Sequence, residues 1–345
     1  MMSELAAFAV TFIAVIALGP LSRRFKLVDR PGGRKVHDGE IPLTGGLAML
    51  LGLIAGVCLQ PDLRLNAEVL FFSVAAISLL LVGILDNTRG LSPRVRIAAT
   101  MLIALLAVRM DRYQLNNLGD LLGLGDITTG ILAIPFTLFC IVGVVNALNM
   151  ADGVDGLAGC LSLVALAAMA WLGAAAGEAT LVALIGILIA VVLAFLCFNA
   201  RTPFHQRASV FMGDGGSMFL GFSIGALLIA LSQTVPGQPR VIMPATALWL
   251  LALPLMDSVS ILIRRMRSGR SPFSADREHL HHVLQSAGYT PGQSVFIMFV
   301  LASILALVGV MGQRFAIPEP VMFGGFMLLF FVYYLGMQFA RVHAE

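Results

Sequence analysis

Apolar runs recur along the whole chain, separated by short polar stretches, and most of them are about as long as a membrane crossing. A helix needs roughly 20 apolar residues to span the hydrocarbon. Runs near 4–20, 43–60, 68–85, 97–109, 129–149, 157–175, 179–199, 215–232, 241–263, 295–312 and 320–339 approach or reach that length. The pattern predicts an all-α, polytopic integral membrane bundle of about eleven helices. Because the runs are spread almost evenly, no soluble domain of ordinary size fits between them, and residues 1–345 read as one membrane domain. The first run lacks a basic stretch before it and an Ala-x-Ala signal behind it, so a retained span is expected rather than a signal peptide.

Composition sharpens this picture. Hydrophobic residues make up 59% and charged residues 12% of the sequence, against roughly 45–50% and 25% in soluble domains. A net charge of +3 gives no case for a nucleic-acid partner. The charge distribution says more. With the N-terminus outside (periplasmic), the inside loops near 21–42, 86–96, 150–156, 200–214 and 264–294, with the C-terminal tail, hold 17 of the 22 Lys and Arg residues. Only Arg64, Arg109, Arg112, Arg240 and Arg314 fall outside, which is the asymmetry of the positive-inside rule. The C-terminus is therefore expected in the cytoplasm. Segment 109–129 reads as a small ordered outside loop. Cys58, Cys140, Cys160 and Cys197 lie in apolar stretches without metal-like spacing and read as buried small hydrophobes.

Costly polar residues gather at the inner ends of the spans. Asp86 and Asn87 end the third, and Asn146, Asn149, Asp152 and Asp155 end the fifth. Asp214 opens the eighth, and Asp257 lies within the ninth. Ionisable groups at such depth are functional candidates. The four residues of the fifth span repeat every third position, a slowly turning stripe on a continuing helix. Gly153 and Gly156 let the backbone leave the helix there. Gly213 and Gly215 flank Asp214 and are read as room for a phosphate-bearing ligand at a helix N-terminus, although Gly-Asp-Gly is also an ordinary turn.

His279, His281 and His282 follow Arg277 in the longest inside loop. Their spacing does not match the usual zinc pairs. A solvated patch and metal ligation are the alternatives to contact with an anionic substrate, for which adjacent His and Arg are suited. The loop Arg34-Lys35-Val-His37-Asp38-Gly-Glu40-Ile-Pro42 is either a positive-inside anchor or a loop shaped to enter the site. Oxygen-bearing side chains suit magnesium, with manganese as an alternative ion, and basic loops suit a polyanion. The sum is a phosphate-handling site at the cytoplasmic membrane surface.

The order Leu-Asp86-Asn87, Asn146-x-x-Asn149-x-x-Asp152-Gly-x-Asp155-Gly-Leu, Phe211-Met-Gly-Asp214-x-Gly-Ser and His279-x-His281-His282 resembles the polyprenyl-phosphate N-acetylhexosamine-1-phosphate transferases. The stretch from Lys26 to Gly46 resembles the WecA-like branch that makes lipid-linked N-acetylglucosamine for O-antigen and related surface polysaccharides. The transferase that moves phospho-MurNAc-pentapeptide ranks second. The resemblance implies that undecaprenyl phosphate attacks the sugar-linked phosphorus of a UDP-N-acetylhexosamine in the bacterial inner membrane, releasing UMP. It implies Asn149 and Asp214 as magnesium ligands, Asp152 and Asp155 around the nucleotide and metal, and Asp86 and Asn87 by the lipid phosphate. Asn146 belongs to the same substrate site. Phe211 would border the uracil with Asn199 nearby, and Arg277, His279, His281 and His282 would hold the diphosphate and sugar. The family commonly has a second aspartate where Asn87 stands, so a base at that position is in doubt here. A homodimer is left open. From a different class, a secondary transporter would also place carboxylates in a membrane, but near its midplane and often with inverted repeats.

Overall fold

The computed structural model describes residues 1–25, 27–29, 39–202, 205–234, 240–271 and 278–342. The described chain is mainly helical, with two short strands. In order it forms α1 (Met2–Arg24), β1 (Val28–Asp29), β2 (Ile41–Pro42), α2 (Gly45–Leu59), α3 (Pro61–Arg64), α4 (Ala67–Arg89) and α5 (Pro93–Ala107). Then follow α6 (Ala133–Ala151), α7 (Leu157–Ala175), α8 (Ala179–Asn199), α9 (Gly213–Ser232), α10 (Pro244–Leu250), α11 (Ala252–Arg267), α12 (Leu280–Ser286), α13 (Pro291–Arg314) and α14 (Glu319–Val342). The two short strands pair antiparallel, Val28 opposite Pro42.

Among the described residues, eight helices are long and apolar enough to cross a membrane, or nine if α10 and α11 form one bent span. Two of the eleven expected segments fold shorter. Helices α2 and α5 have 15 residues each, about 22 Å at 1.5 Å per residue, less than the roughly 30 Å hydrocarbon. The expected span at 241–263 is broken: α10 and α11 meet at 83°. Pro254 explains the break, since it cannot donate to the Leu250 carbonyl four residues back and its ring clashes with it. Leu251 accordingly leaves helical geometry at φ −115° and ψ 19°. Side chains such as Ile13, Phe139 and Phe331 point outward from the bundle, as lipid-facing positions of a polytopic membrane protein do.

Helix α9 is the axis of the bundle and is buried along its whole apolar length. It packs against α4, α6 and α2. A methyl group on Gly83 of α4 would lie 2.3 Å from the Gly215 Cα, and one on Gly46 of α2 would lie 2.5 Å from the Gly216 Cα. Backbones meet there with no room for any side chain, so the ends of three helices converge at the start of α9. At the opposite end of α4, segment 109–129 is ordered. Its Asn117 and Thr128 form a bridge, the N–H groups of Asn116 and Asn117 both donate to Gln233 Oε1 at 3.0 Å, and Arg112 pairs with Glu178 at 2.6 Å.

Candidate active site

The site begins with Asp214 in the first turn of α9. Its Oδ2 accepts from Asn87 Nδ2 at 2.6 Å, and its own N–H donates to Asn87 Oδ1 at 3.0 Å. Its Oδ1 accepts from Asn149 Nδ2 at 2.8 Å, and the same amide reaches Ser217 Oγ at 2.9 Å. One carboxylate is thus held by carboxamides from α4 and α6. The glycines beside it serve helix approach and not ligand approach. A methyl group on Gly213 would meet Asn87 Oδ1 at 2.9 Å, and one on Gly215 would meet the Leu80 carbonyl at 2.8 Å.

Asp86, one residue before Asn87, is buried and turns elsewhere. It accepts from the Leu91 N–H at 2.8 Å and from Arg96 Nη1 at 3.1 Å, which closes the turn between α4 and α5. The expected stripe at the end of α6 does not continue as one face. Asn146 Nδ2 donates back to the Val142 carbonyl of its own helix at 2.9 Å. Asp152 caps α6, where the helix ends, and Gly156, at φ +86°, turns the chain into α7. Burial, followed by the charges of Asp214 and Asp155, pushes the Asp152 carboxyl well above the usual aspartate range. Asp155 faces away, accepting from Arg201 Nε at 2.8 Å and the Ala208 N–H at 3.2 Å.

Asn199 is a buried strut between the same loops. Its Oδ1 accepts from the Gly156 N–H at 2.8 Å and its Nδ2 donates to the Val210 carbonyl at 2.8 Å. Phe211 is half-buried. Its N–H donates to the Pro42 carbonyl at 2.8 Å, and its carbonyl accepts from the Gly45 N–H at 3.0 Å. The end of the basic loop is thereby stitched to the entry of α9.

Of the three histidines, His281 lies against the Asp152–Asp155 loop. His279 is buried, with Nδ1 2.7 Å from Asp257 Oδ2. The His281 ring lies parallel to it at 5.6 Å, and the His282 ring is 4.1 Å from that of His281, tilted by 50°. His281 Nε2 has no hydrogen-bond partner among the described residues. A methyl group on Gly153 would lie 3.3 Å from that atom. Burial, then the neighbouring His282 and His279, pushes the His281 imidazole down to about 3, so it is neutral at physiological pH.

Arg277, with Arg34, Lys35, His37 and Asp38 of the first basic loop, lies outside the described residues. Among the described residues, no group of three or more His, Cys, Asp or Glu side chains is placed to hold a metal. A cation here would depend on mixed carboxylate and carboxamide oxygens. Sequence reasoning gave no site role to Arg96, Arg201 or Tyr333, whose carboxylate partners stand 10, 46 and 76 positions away. It noted Asp257 only as a buried ionisable group.

Residues 69–232, which contain Asp86, Asn149 and Asp214, match the model of glycosyl transferase family 4. The chain is 36% identical, over 96% of its length and 92% of the relative, to the undecaprenyl-phosphate alpha-N-acetylglucosaminyl 1-phosphate transferase of Haemophilus influenzae. It is 35% identical to the protein of that name in Pasteurella multocida over the same shares. The relative of the same name in Escherichia coli K12 is 34% identical over 94% of this chain and 88% of that one. On the strength of these matches the chain belongs to glycosyl transferase family 4, among polytopic membrane enzymes that transfer sugar 1-phosphates.

Proposed function

We propose that the protein transfers N-acetylglucosamine 1-phosphate from UDP-N-acetylglucosamine to undecaprenyl phosphate. The products are undecaprenyl-diphospho-N-acetylglucosamine and UMP. The observation that carries the reading is the convergence of Asn87, Asn149 and Asp214 from three helices at one end of the bundle, joined to relatives that bear this name over nearly their whole length.

An oxygen of the lipid phosphate attacks the sugar-linked phosphorus, and the bond from that phosphorus to the bridging oxygen breaks, leaving the electron pair on UMP. A phosphate monoester with a second pKa near 6 is mostly dianionic at pH 7, so no protein base has to create the nucleophile. This suits a site in which Asn87 replaces a carboxylate. The obstacle is charge repulsion between the two phosphates, and the protein meets it by position and electrostatics. The basic inner loops draw both substrates to the same surface. The histidine ladder against Gly153 borders the phosphates, and Asp155 with Arg201 fixes the rim of the loop.

The donor set fits magnesium, with manganese as a substitute. Asp214 offers a carboxylate, Asn149 offers a carboxamide oxygen once its amide turns over, and the unfavourable crowding of Asp152 against Asp214 is relieved by a cation. When bound, the ion supplies Lewis-acid stabilisation of the diphosphate. The active face lies on the cytoplasmic side of the bacterial inner membrane, supported by the bias of Lys and Arg toward the loops on that side. With α2 and α5 counted as short crossings, the chain passes the membrane about eleven times. The test is incubation of purified protein with magnesium, undecaprenyl phosphate and a panel of UDP-N-acetylhexosamines, reading the lipid product by mass and UMP by chromatography. Product from the glucosamine donor supports the reading, and absence of UMP with every donor overturns it.

A further inference from the structure

We infer that Asp257 is a positioning residue of the transfer reaction, setting the orientation of His279 and through it the whole histidine ladder; the inference rests on the transferase reading above. Asp257 sits in α11, below the bend, and is buried. Three groups converge on its carboxylate, two from consecutive residues at the start of α12 and one from α14. His279 Nδ1 lies 2.7 Å from Oδ2, the Leu280 N–H donates to Oδ1 at 3.0 Å, and Tyr333 of α14 donates its hydroxyl to Oδ1 at 2.8 Å. Next to this junction, Arg264 of the same helix pairs with Glu278. The start of the His-bearing segment is therefore pinned to α11 at three consecutive residues, Glu278, His279 and Leu280.

The geometry has a chemical consequence. With Nδ1 occupied by Asp257, Nε2 is the one ring nitrogen of His279 left to act on a ligand, so the carboxylate chooses which edge of the imidazole serves the site. Because His281 stands two residues on in the segment that Asp257 pins at His279 and Leu280, and abuts Gly153, release of that junction would carry His281 off the Asp152–Asp155 loop. A mere tether between the loop and α11 would not require a charge. An amide or hydroxyl could accept the same N–H and O–H donors without the cost of burying a carboxylate inside a membrane-spanning segment. The charged acceptor makes physical sense where an imidazole must be oriented and held toward an anion. This is the relation of a carboxylate to a histidine that works on a substrate, transposed to phosphates.

A double-mutant cycle separates this role from a structural one. Asp257→Asn is expected to lower kcat/KM for UDP-N-acetylglucosamine at least about tenfold in the wild-type background, and less than about twofold where His279→Gln is already present. Tyr333→Phe leaves the carboxylate in place and serves if Asp257→Asn does not fold. It should cost about two- to fivefold, again only while His279 is intact. The same cycle is read on the Kd of UDP-N-acetylglucosamine by isothermal titration, which needs no turnover. Equal losses in both backgrounds, or no loss in the wild-type background, overturn the inference while intact wild-type turnover leaves the transferase reading standing. Absence of UMP from the wild-type protein refutes both.

Discussion

Asn87 and Asp214, 127 positions apart, are joined by two hydrogen bonds running in opposite directions, amide to carboxylate at 2.6 Å and backbone N–H to amide oxygen at 3.0 Å. The neutral carboxamide is what lets this pairing form without a cation. A second aspartate at position 87 would set two carboxylates against each other and would need a proton or a metal between them. Asn87→Asp should therefore lose about 1.5–3 kcal/mol of stability in the presence of a chelator. Magnesium should restore it. Thermal melts in detergent with chelator and with magnesium check this: the variant should show the larger magnesium-induced rise, and equal rises in both proteins would contradict it.

Asp214 is the only charged member of that triplet, so its removal should be the most damaging substitution in the site. Asp214→Ala is expected to reduce UMP release by more than about a hundredfold, with membrane expression unchanged. Near-normal turnover would exclude the proposed role of this carboxylate.

The junction itself can be pried apart from a distance. A methyl group on Gly83 would lie 2.3 Å from the Gly215 Cα, against backbone that cannot step aside. Gly83→Ala should cost about 1–3 kcal/mol by overpacking and should separate Asn87 from Asp214, lowering turnover at least about tenfold. Gly143→Ala is the control, because nothing lies within 4 Å of its added methyl group. That change should leave activity intact and raise stability slightly, since alanine is the better helix former.

How far the sequence reveals this site depends on which contacts are local. Run length is a local property, and the helices that it predicts are present, from α1 to α14. The break between α10 and α11 went unread, because run length registers apolarity alone; Pro254 stands inside the expected span and removes one backbone bond there. Motif residues announced themselves by type and depth, but their pairings did not. Asp86 and Asn87 are neighbours in sequence, yet one serves Arg96 and the other Asp214. A stripe with three-residue spacing assumes a continuing helix, and α6 ends at Ala151 before Asp155 is reached. The glycines around Asp214 looked like ligand space because sequence shows a missing side chain without showing what fills the gap. Here α4 and α2 fill it.

Asp152 gives a pH prediction with a definite sign. Its folded-state pKa is raised, by burial first and then by Asp214 and Asp155. The folded protein therefore holds this proton more tightly than the unfolded chain does, and stability falls as pH rises from the usual aspartate value of 3.8 through the raised value. Without magnesium, Asp152→Asn should be more stable than the wild type at pH 7, and the difference should vanish below about pH 4. Melting curves in chelator across that range decide the matter. A variant less stable than the wild type at neutral pH would mean that the charge at position 152 is favourable in the fold.

Asn199 separates a strut from a substrate contact. Both ends of its buried amide are spent on backbone, the Gly156 N–H and the Val210 carbonyl. Asn199→Ala leaves both groups unpaired at about 1–3 kcal/mol each. It should therefore lower stability far more than it lowers affinity for the nucleotide. Asn199→Asp keeps the acceptor for Gly156 but turns the donor toward Val210 into a second oxygen, so it should not rescue the loss. The check is a melt paired with KM for UDP-N-acetylglucosamine on the folded protein. A reduced melting temperature with KM within about twofold of wild type fits a strut, since uniform binding is then untouched. A large rise in KM with an unchanged melt would instead put this amide against the uracil.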